Sequence, residues 1–330
     1  MQVNVYKVYL TPYGSMTSIP DSQTLFGSIC WAIRDLYGEE ELEHLLNNFE
    51  TSENKFIVST AYPDGLYKAP MIIWATLEEL IEIGNRVGVK GSRLSRKSKL
   101  LKKINYFSEG VLKEYLNGKL DRLKVAESII REKGPYSYKK GILFHSDEKI
   151  EVHDLYEEHS RRNMINRLSS TTTEGGELYY YKRIFTPENS RLYFLIKTNK
   201  IQYLKPVFKL LSDMGIGADK SVGANNFRLE LAGEFNYEKS IKENILLSKY
   251  IPNYEEVDWD KSLFNIGIGS SRLESRDEFF SEDIFKNEII YLSEGSTIIL
   301  KENKEVYGRL PVVKNLKGKR IRNNGLGFFL

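Results

Sequence analysis

The order of segments along the chain predicts an α+β fold: strand, helix, two strands, a long insertion, then strand, helix, strand. Three observations carry that expectation. A Val- and Tyr-rich run at Val3 to Leu10 is followed by helical spacing at Leu25, Ile29, Ala32, Ile33 and Leu36. A strand at Leu192 to Thr198 is followed by a second helical stripe at Leu204, Val207, Phe208 and Leu211. That helix runs into a glycine-rich loop and a further extended run at Asn226 to Ala232. With the insertion interrupting the hairpin region, this order approaches a ferredoxin-like (RRM-like) unit, a four-stranded antiparallel sheet backed by two helices. A length of 330 residues suits one large domain or two ordinary ones, and 41% hydrophobic content allows real cores.

Each element has a local cause. Thr11-Pro12-Tyr13-Gly14 ends the first strand, and Pro20-Asp21-Ser22 opens the first helix, where Asp21 or Ser22 can cap free N–H groups. Gly27, one turn in, allows a backbone or a ligand to approach closely, and a helix N-terminus attracts phosphate. A capped core helix accounts for the same pattern. Phe56 to Ala61 reads as a second strand, Pro63-Asp64-Gly65 as a turn, and Leu66 to Trp74 as a hairpin partner. A short helix follows at Leu77 to Ile83.

Arg86 to Lys103 holds eight cations and no acid, which suits a phosphate backbone or a solvated helical face. Tyr136 to Phe144 and Ile150 to Val152 are strand-like. Basic Ser160 to Arg167 and strand-forming Leu178 to Phe185, with Tyr179, Tyr180 and Tyr181 in sequence, read as a long projecting hairpin or an exposed loop. In the second helix, Pro206 is expected in the first turn, where its missing N–H costs little.

The stretch Leu210 to Leu229 organises the rest. Gly215 stands where a helix takes a left-handed C-terminal residue. Gly217 and Gly223 bracket a loop in which Lys220 offers charge and Ser221 a hydroxyl. Asp219 stands where a Walker loop needs glycine, Lys220 where a dinucleotide fingerprint needs glycine, and a helix precedes instead of a strand. A phosphate-binding loop and a plain glycine-rich turn both fit. Beyond Gly233 a second unit starts. Leu263 to Gly269 is strand-like, Arg272 to Phe285 is charged and helix-compatible, and Glu294-Gly295-Ser296 reads as the turn of a hairpin. Lys314 to Arg322 forms a second basic patch.

Net charge is only +3, so a nucleic-acid surface must be local. The 21 tyrosines combine stacking faces with hydroxyls. Cys30 is the single cysteine, which excludes an intramolecular disulfide or a multi-cysteine zinc site. His145, His153 and His159 lie near Asp147 and Asp154, but the spacing fits no compact zinc motif. No signal peptide or membrane-spanning run is evident, and a cytoplasmic location is expected.

Three motifs carry a resemblance. Gly215-Ile216-Gly217-Ala218-Asp219-Lys220-Ser221-Val222-Gly223, then Phe227, resembles the glycine-rich loop of the RAMP superfamily of CRISPR proteins. Ile19 to Gly27, with Cys30-Trp31-Ala32 beyond, resembles the start of the first helix in the type III-A subunit that caps the Csm complex at the guide's 5′ end. Asn163-Met164-Ile165-Asn166-Arg167, then Gly176 to Tyr179, matches the same subunit in the same order.

The resemblance implies two ferredoxin-like domains. One spans 1–235, with an insertion over about 86–185 that contains a thumb-like β-hairpin; the other spans 236–330. It implies a non-catalytic, cofactor-free subunit that binds the crRNA 5′ handle. Its protein neighbours would be the large polymerase- and cyclase-like subunit and the first backbone subunit. The RNA-binding residues implied are Ser22, Thr24, Gly27, Asn163, Asn166, Arg167, Gly215, Gly217, Lys220, Ser221 and Gly223. The rival readings are a metal-independent RAMP endoribonuclease that processes guide RNA, a backbone-type subunit cutting target RNA through Asp21, and a scaffold without RNA contact.

Overall fold

A computed structural model describes residues 4–150, 155–163, 178–188, 190–274 and 285–330. β1 (Asn4–Pro12) leads to α1 (Ser22–Tyr37) and α2 (Glu39–Asn47), and then to β2 (Phe56–Val58) and β3 (Tyr62–Pro63). The insertion follows, with β4 (Tyr67–Lys68), α3 (Leu77–Val87), α4 (Gly91–Leu101), β5 (Tyr106–Phe107), α5 (Glu109–Leu116), α6 (Arg122–Arg131), β6 (Tyr136–Lys139) and β7 (Ile142–His145). β8 (Tyr156–Asn163) and β9 (Leu178–Phe185) pair antiparallel. β10 (Leu192–Thr198), α7 (Ile201–Met214) and β11 (Phe227–Glu234) complete the first part.

The large sheet runs β11–β1–β10–β2, with β3 also on β10, and every pairing is antiparallel. β10 sits at its centre, and Leu192 to Ile196 are all buried because both faces of the sheet are covered. Phe194 packs edge-on against Phe208 of α7. One residue along, Tyr193 points the other way, against Tyr67, and its hydroxyl donates to the Leu66 carbonyl. The helical stripe of α7 is buried as its spacing predicts, and Leu25, Ile29, Ala32 and Ile33 of α1 are buried too; Leu36 is exposed.

Three local expectations are corrected. The stretch after Gly65 does not pair with β2; β4 pairs with β5 in a separate four-stranded sheet, β4–β5–β7–β6, inside the insertion. Pro206 falls in the second turn of α7, at an exposed position one turn after exposed Gln202, so the carbonyl it leaves without a helical donor belongs to the solvent side. The turn at Glu294 to Ser296 does not join a hairpin. Gly295 has a positive φ of 88°, but the strands on either side pair elsewhere, and its carbonyl accepts from Met71 N–H at the base of the insertion.

After Glu234 the strands pair two by two: β12 (Asn244–Ile245) with β15 (Thr297–Ile298), β13 (Ile266–Gly269) with β14 (Ile289–Leu292), β16 (Gly308–Arg309) with β19 (Gly325–Leu326), and β17 (Val312–Leu316) with β18 (Lys319–Arg322). No α-helix occurs among the described residues of this part, and most of the segment expected as helical at 272–285 lies outside them. Leu246, Tyr250, Val257, Leu292, Ile298 and Phe329 form a small core of their own, whereas Ile245, Leu247, Leu326, Phe328 and Leu330 join the main core. Among the described residues, no helix is long and apolar enough to cross a membrane.

Candidate nucleic-acid interface

The first turn of α1 is organised by Asp21. Its Oδ1 accepts from Thr24 N–H at 2.8 Å, the geometry of an N-cap, and its Oδ2 lies 2.5 Å from Lys249 Nζ. Burial pushes the Asp21 carboxyl up, but the Lys249 charge and hydrogen bond, with the Thr24 N–H, outweigh it and hold the group below the usual carboxylate range. An acid held ionised in this way is a poor proton shuttle near neutrality. Ser22, expected among the RNA-binding residues, lies beneath the surface. It is fully buried, its Oγ accepts from Lys249 N–H at 2.9 Å, and its carbonyl accepts from Asn324 Nδ2 at 3.1 Å. The hydroxyl therefore ties α1 to the C-terminal part. Gly27 faces open space: a β-carbon there would meet nothing within 4 Å.

The glycine loop folds onto this helix end. Gly215 caps α7 at φ 78°, with its N–H on the Leu211 carbonyl; a β-carbon there would lie 2.6 Å from Asn226 Oδ1 and 2.8 Å from the Asn225 carbonyl. Gly215 is thus required by packing. Gly217, at φ 87°, would place a β-carbon 3.2 Å from Thr24 Cγ2, so the loop rests directly on α1. Lys220 to Val222 form a single 3₁₀ turn, and Ser221, Val222 and Gly223 are exposed. Lys220 is already partnered, its Nζ 3.0 Å from Glu274 Oε1, which offsets much of the charge expected for a phosphate.

Asn225 was not singled out by the sequence and holds the arrangement together. Buried at φ 55°, it accepts from Thr17 N–H at 2.9 Å and donates to Thr17 Oγ1 and the Ala218 carbonyl, both at 2.7 Å. It stitches the glycine loop to the segment that leads into α1.

Between these elements lies a cleft of about 530 Å³, lined by Thr24, Gly27 and Gly217 on one side and by Lys249, Arg272 and Lys286 from the C-terminal part on the other. Lys249 is neutralised by Asp21, and Arg272 sits 4.7 Å from the centre of the Phe285 ring. Burial pushes the Lys286 ammonium down, while the Cys30 thiol and Asp21 act in the opposite sense. Among the described residues, no carboxylate lies within ion-pair distance of Lys286, although Asp21 acts on it at longer range. These three cations are isolated in sequence and carry no local signal.

The third motif is only partly described. Asn163 is exposed at the end of β8, and Asn166 and Arg167 lie outside the described residues. The β8–β9 ribbon is anchored beside the cleft, because Met16 and Ile184 exchange both backbone hydrogen bonds, at 2.7 and 2.8 Å. Tyr179 and Tyr180 on β9 are exposed. The structure therefore brings the first two motifs into contact, and the end of the β8–β9 ribbon opposite Asn163 and Leu178 is joined to the segment before α1.

Among the described residues, no histidine lines the cleft. His145 Nε2 lies 3.4 Å from Glu114 in the insertion, His44 is on α2, His159 is exposed on β8, and His153 is outside the described residues. No group of three metal-ligating side chains occurs among the described residues.

The family model described as the RAMP superfamily matches residues 21–224, which contains both the start of α1 and the glycine loop. A protein described as "CRISPR system Cms protein Csm4" from Methanocaldococcus jannaschii is 30% identical over 268 residues, covering 72% of this chain and 68% of that protein. One of the same description from Thermococcus onnurineus is 25% identical over 289 residues, covering 85% and 86%. Among solved structures, a chain of the Csm3–Csm4 subcomplex of the type III-A CRISPR-Cas interference complex superposes with a TM-score of 0.62 at 18% identity, over 98% of both chains. A chain of a Csm1–Csm4 cassette in complex with cA4 superposes at 0.57 and 18% identity, over 100% of this chain and 97% of that one. The chain belongs to the RAMP superfamily and, within it, to the Csm4 proteins of CRISPR systems.

Proposed function

We infer that this chain is the crRNA-binding subunit of a type III-A effector in antiviral defence, that it holds the 5′ handle, and that it works in the cytoplasm. One observation carries the reading: the start of α1 and the glycine loop, far apart in sequence, converge on a cleft whose opposite wall supplies Lys249, Arg272 and Lys286. Open positions at Gly27 and Gly223 let a nucleic-acid backbone approach closely, and Lys286 supplies charge for a phosphate. Of the residues expected at the site, Thr24, Gly27 and Gly217 line the cleft, Ser221 and Gly223 are exposed on the adjoining 3₁₀ turn, and in this reading all five are direct neighbours of RNA. Ser22 and Gly215 support it from beneath, and Lys220 acts together with Glu274. Asn163, Asn166 and Arg167 belong to the thumb-like hairpin in this reading, with the exposed tyrosines of β9 as stacking faces.

The strand order β11–β1–β10–β2, with α1 and α7 between its strands, supports a ferredoxin-like domain over 1–235. A second such domain over 236–330 has support only in its strand pairs. Relatives occur in Csm1–Csm4 and Csm3–Csm4 assemblies, so the partners in this reading are the large polymerase- and cyclase-like subunit and the backbone RAMP subunit, which the chain links. The test is to incubate the purified chain with labelled guide RNA. Binding without cleavage, weakened by Lys286→Ala, is expected. Cleavage would establish the ribonuclease reading, and absence of binding by the chain and by its complex would leave a scaffold.

A further inference from the structure

We propose that the outer face of α4, in the insertion, is a second contact for a nucleic-acid backbone, separate from the cleft and indifferent to sequence. The proposal rests on the reading that the chain works on RNA. Residues 86 to 103 contain eight cations and no acid. The structure divides them. Arg86 pairs with Glu127 of α6, and Lys97, the one cation on the buried side, donates to the Ile130 carbonyl and pairs with Glu132. The other six, Lys90, Arg93, Arg96, Lys99, Lys102 and Lys103, are exposed and have no acidic partner among the described residues. Arg93, Arg96, Lys99 and Lys102 recur every third residue and track along about 13 Å of helix at 1.5 Å per residue. The β6–β7 turn extends the patch, since Gly141 lies against the Lys103 carbonyl and brings exposed Lys139 to the same end.

The helix is built against its own stability. It starts on Gly91 with no side-chain cap, has no acid in its first turn, and places Arg93 where the helix dipole disfavours a cation. Like charges repel at three- and four-residue spacing, with no acid on the helix to relieve them. A bound polyanion would remove that repulsion. A protein partner fits less well. The exposed positions of α4 hold only Gly91, Ser92, Ser95 and the cations, with no apolar or aromatic anchor, whereas protein interfaces centre on such anchors and are depleted in lysine.

The test compares the full chain with the triple variant Arg96→Gln, Lys99→Gln, Lys102→Gln, which keeps helix propensity. Affinity for oligouridylate, which lacks any handle, is measured against salt. Each phosphate contact on a single strand contributes roughly 0.7 to the logarithmic salt slope, so the triple variant should be shallower by about two. Its melting temperature should hold or rise as repulsion is relieved. An unchanged slope overturns the proposal, and so does an unchanged slope with lost co-purification of a neighbouring subunit, which would make the face a protein interface. Should the triple variant fail to fold, the single variant Lys99→Gln must still shallow the slope by roughly 0.7. The cleft is tested separately by Gly27→Leu, read as the ratio of handle-RNA to oligouridylate affinity. Loss of that ratio with the oligouridylate slope intact supports the cleft and leaves α4 to be judged by the triple variant alone. An unchanged ratio removes the cleft without touching α4.

Discussion

Replacing Asn225 by alanine tests whether one buried side chain holds the glycine loop in place. The change removes hydrogen bonds to Thr17 N–H, Thr17 Oγ1 and the Ala218 carbonyl. At about 1 kcal/mol net for each, the loss is about 3 kcal/mol. Position 225 also has φ 55°, where alanine has no local hydrogen bond to offset left-handed strain, and this adds up to about 1 kcal/mol. The expected destabilisation is therefore roughly 3 to 4 kcal/mol by urea unfolding. Asn225→Gly separates the two contributions, because glycine accepts the backbone conformation and loses only the hydrogen bonds; it should be the milder variant by about 1 kcal/mol. Both variants should weaken guide-RNA binding per folded molecule, since Ala218 and Gly217 lose their tether to the α1 side. A loss below about 1 kcal/mol for Asn225→Ala would refute the assigned role. Equal stability of the two variants would refute the backbone component, and full RNA affinity in the folded fraction would take the loop out of the binding site.

Gly27→Leu should weaken handle binding while leaving stability equal or up to about 1 kcal/mol higher, because the position is helical and its β-carbon meets only open space; thermal melts and RNA titration check both halves. Gly217→Val should cost about 1–2 kcal/mol by urea unfolding and also weaken binding, since it combines φ 87° with a 3.2 Å approach to Thr24. For Asp21 the folded carboxyl lies below its unfolded value, so its stabilisation is present above that unfolded value and lost as pH falls through the folded one. The stability gap between wild type and Asp21→Asn should therefore hold steady from neutrality to about pH 4 and close below it in pH-dependent urea melts. Burial pushes the Cys30 thiol well up, so maleimide should label it only as fast as the protein unfolds.

Local chemistry made much of the scaffold legible. The apolar spacing at Leu204, Val207, Phe208 and Leu211 predicts α7, Asp21 or Ser22 predicts a cap for α1 that the structure assigns to Asp21, and Gly215 predicts the end of α7, because periodicity and capping act within a turn or two of chain. The order of those elements also anticipates the large sheet. Pairing partners were less legible. β4 joins β5 instead of β2, and the strands around Gly295 go to β13 and β12, because a short strand's partner is chosen by the surface available after collapse.

The motifs marked where a ligand site would form, but the charge within it was decided by contacts remote in sequence. Lys220, the cation the loop offered, is paired with Glu274, 54 residues on, and Asp21 is held by Lys249, 228 residues on. Ser22, which the resemblance offers as an RNA contact, is sealed beneath Lys249 and Asn324. Lys286 carries no sequence signal, and the fold half-buries it in the cleft that Gly27 also lines. A sequence records which side chains can carry charge. Whether that charge is neutralised, buried or left facing a ligand depends on distances of a few ångströms between distant segments, because Coulomb attraction and desolvation both change steeply over that range, and only the tertiary structure sets those distances.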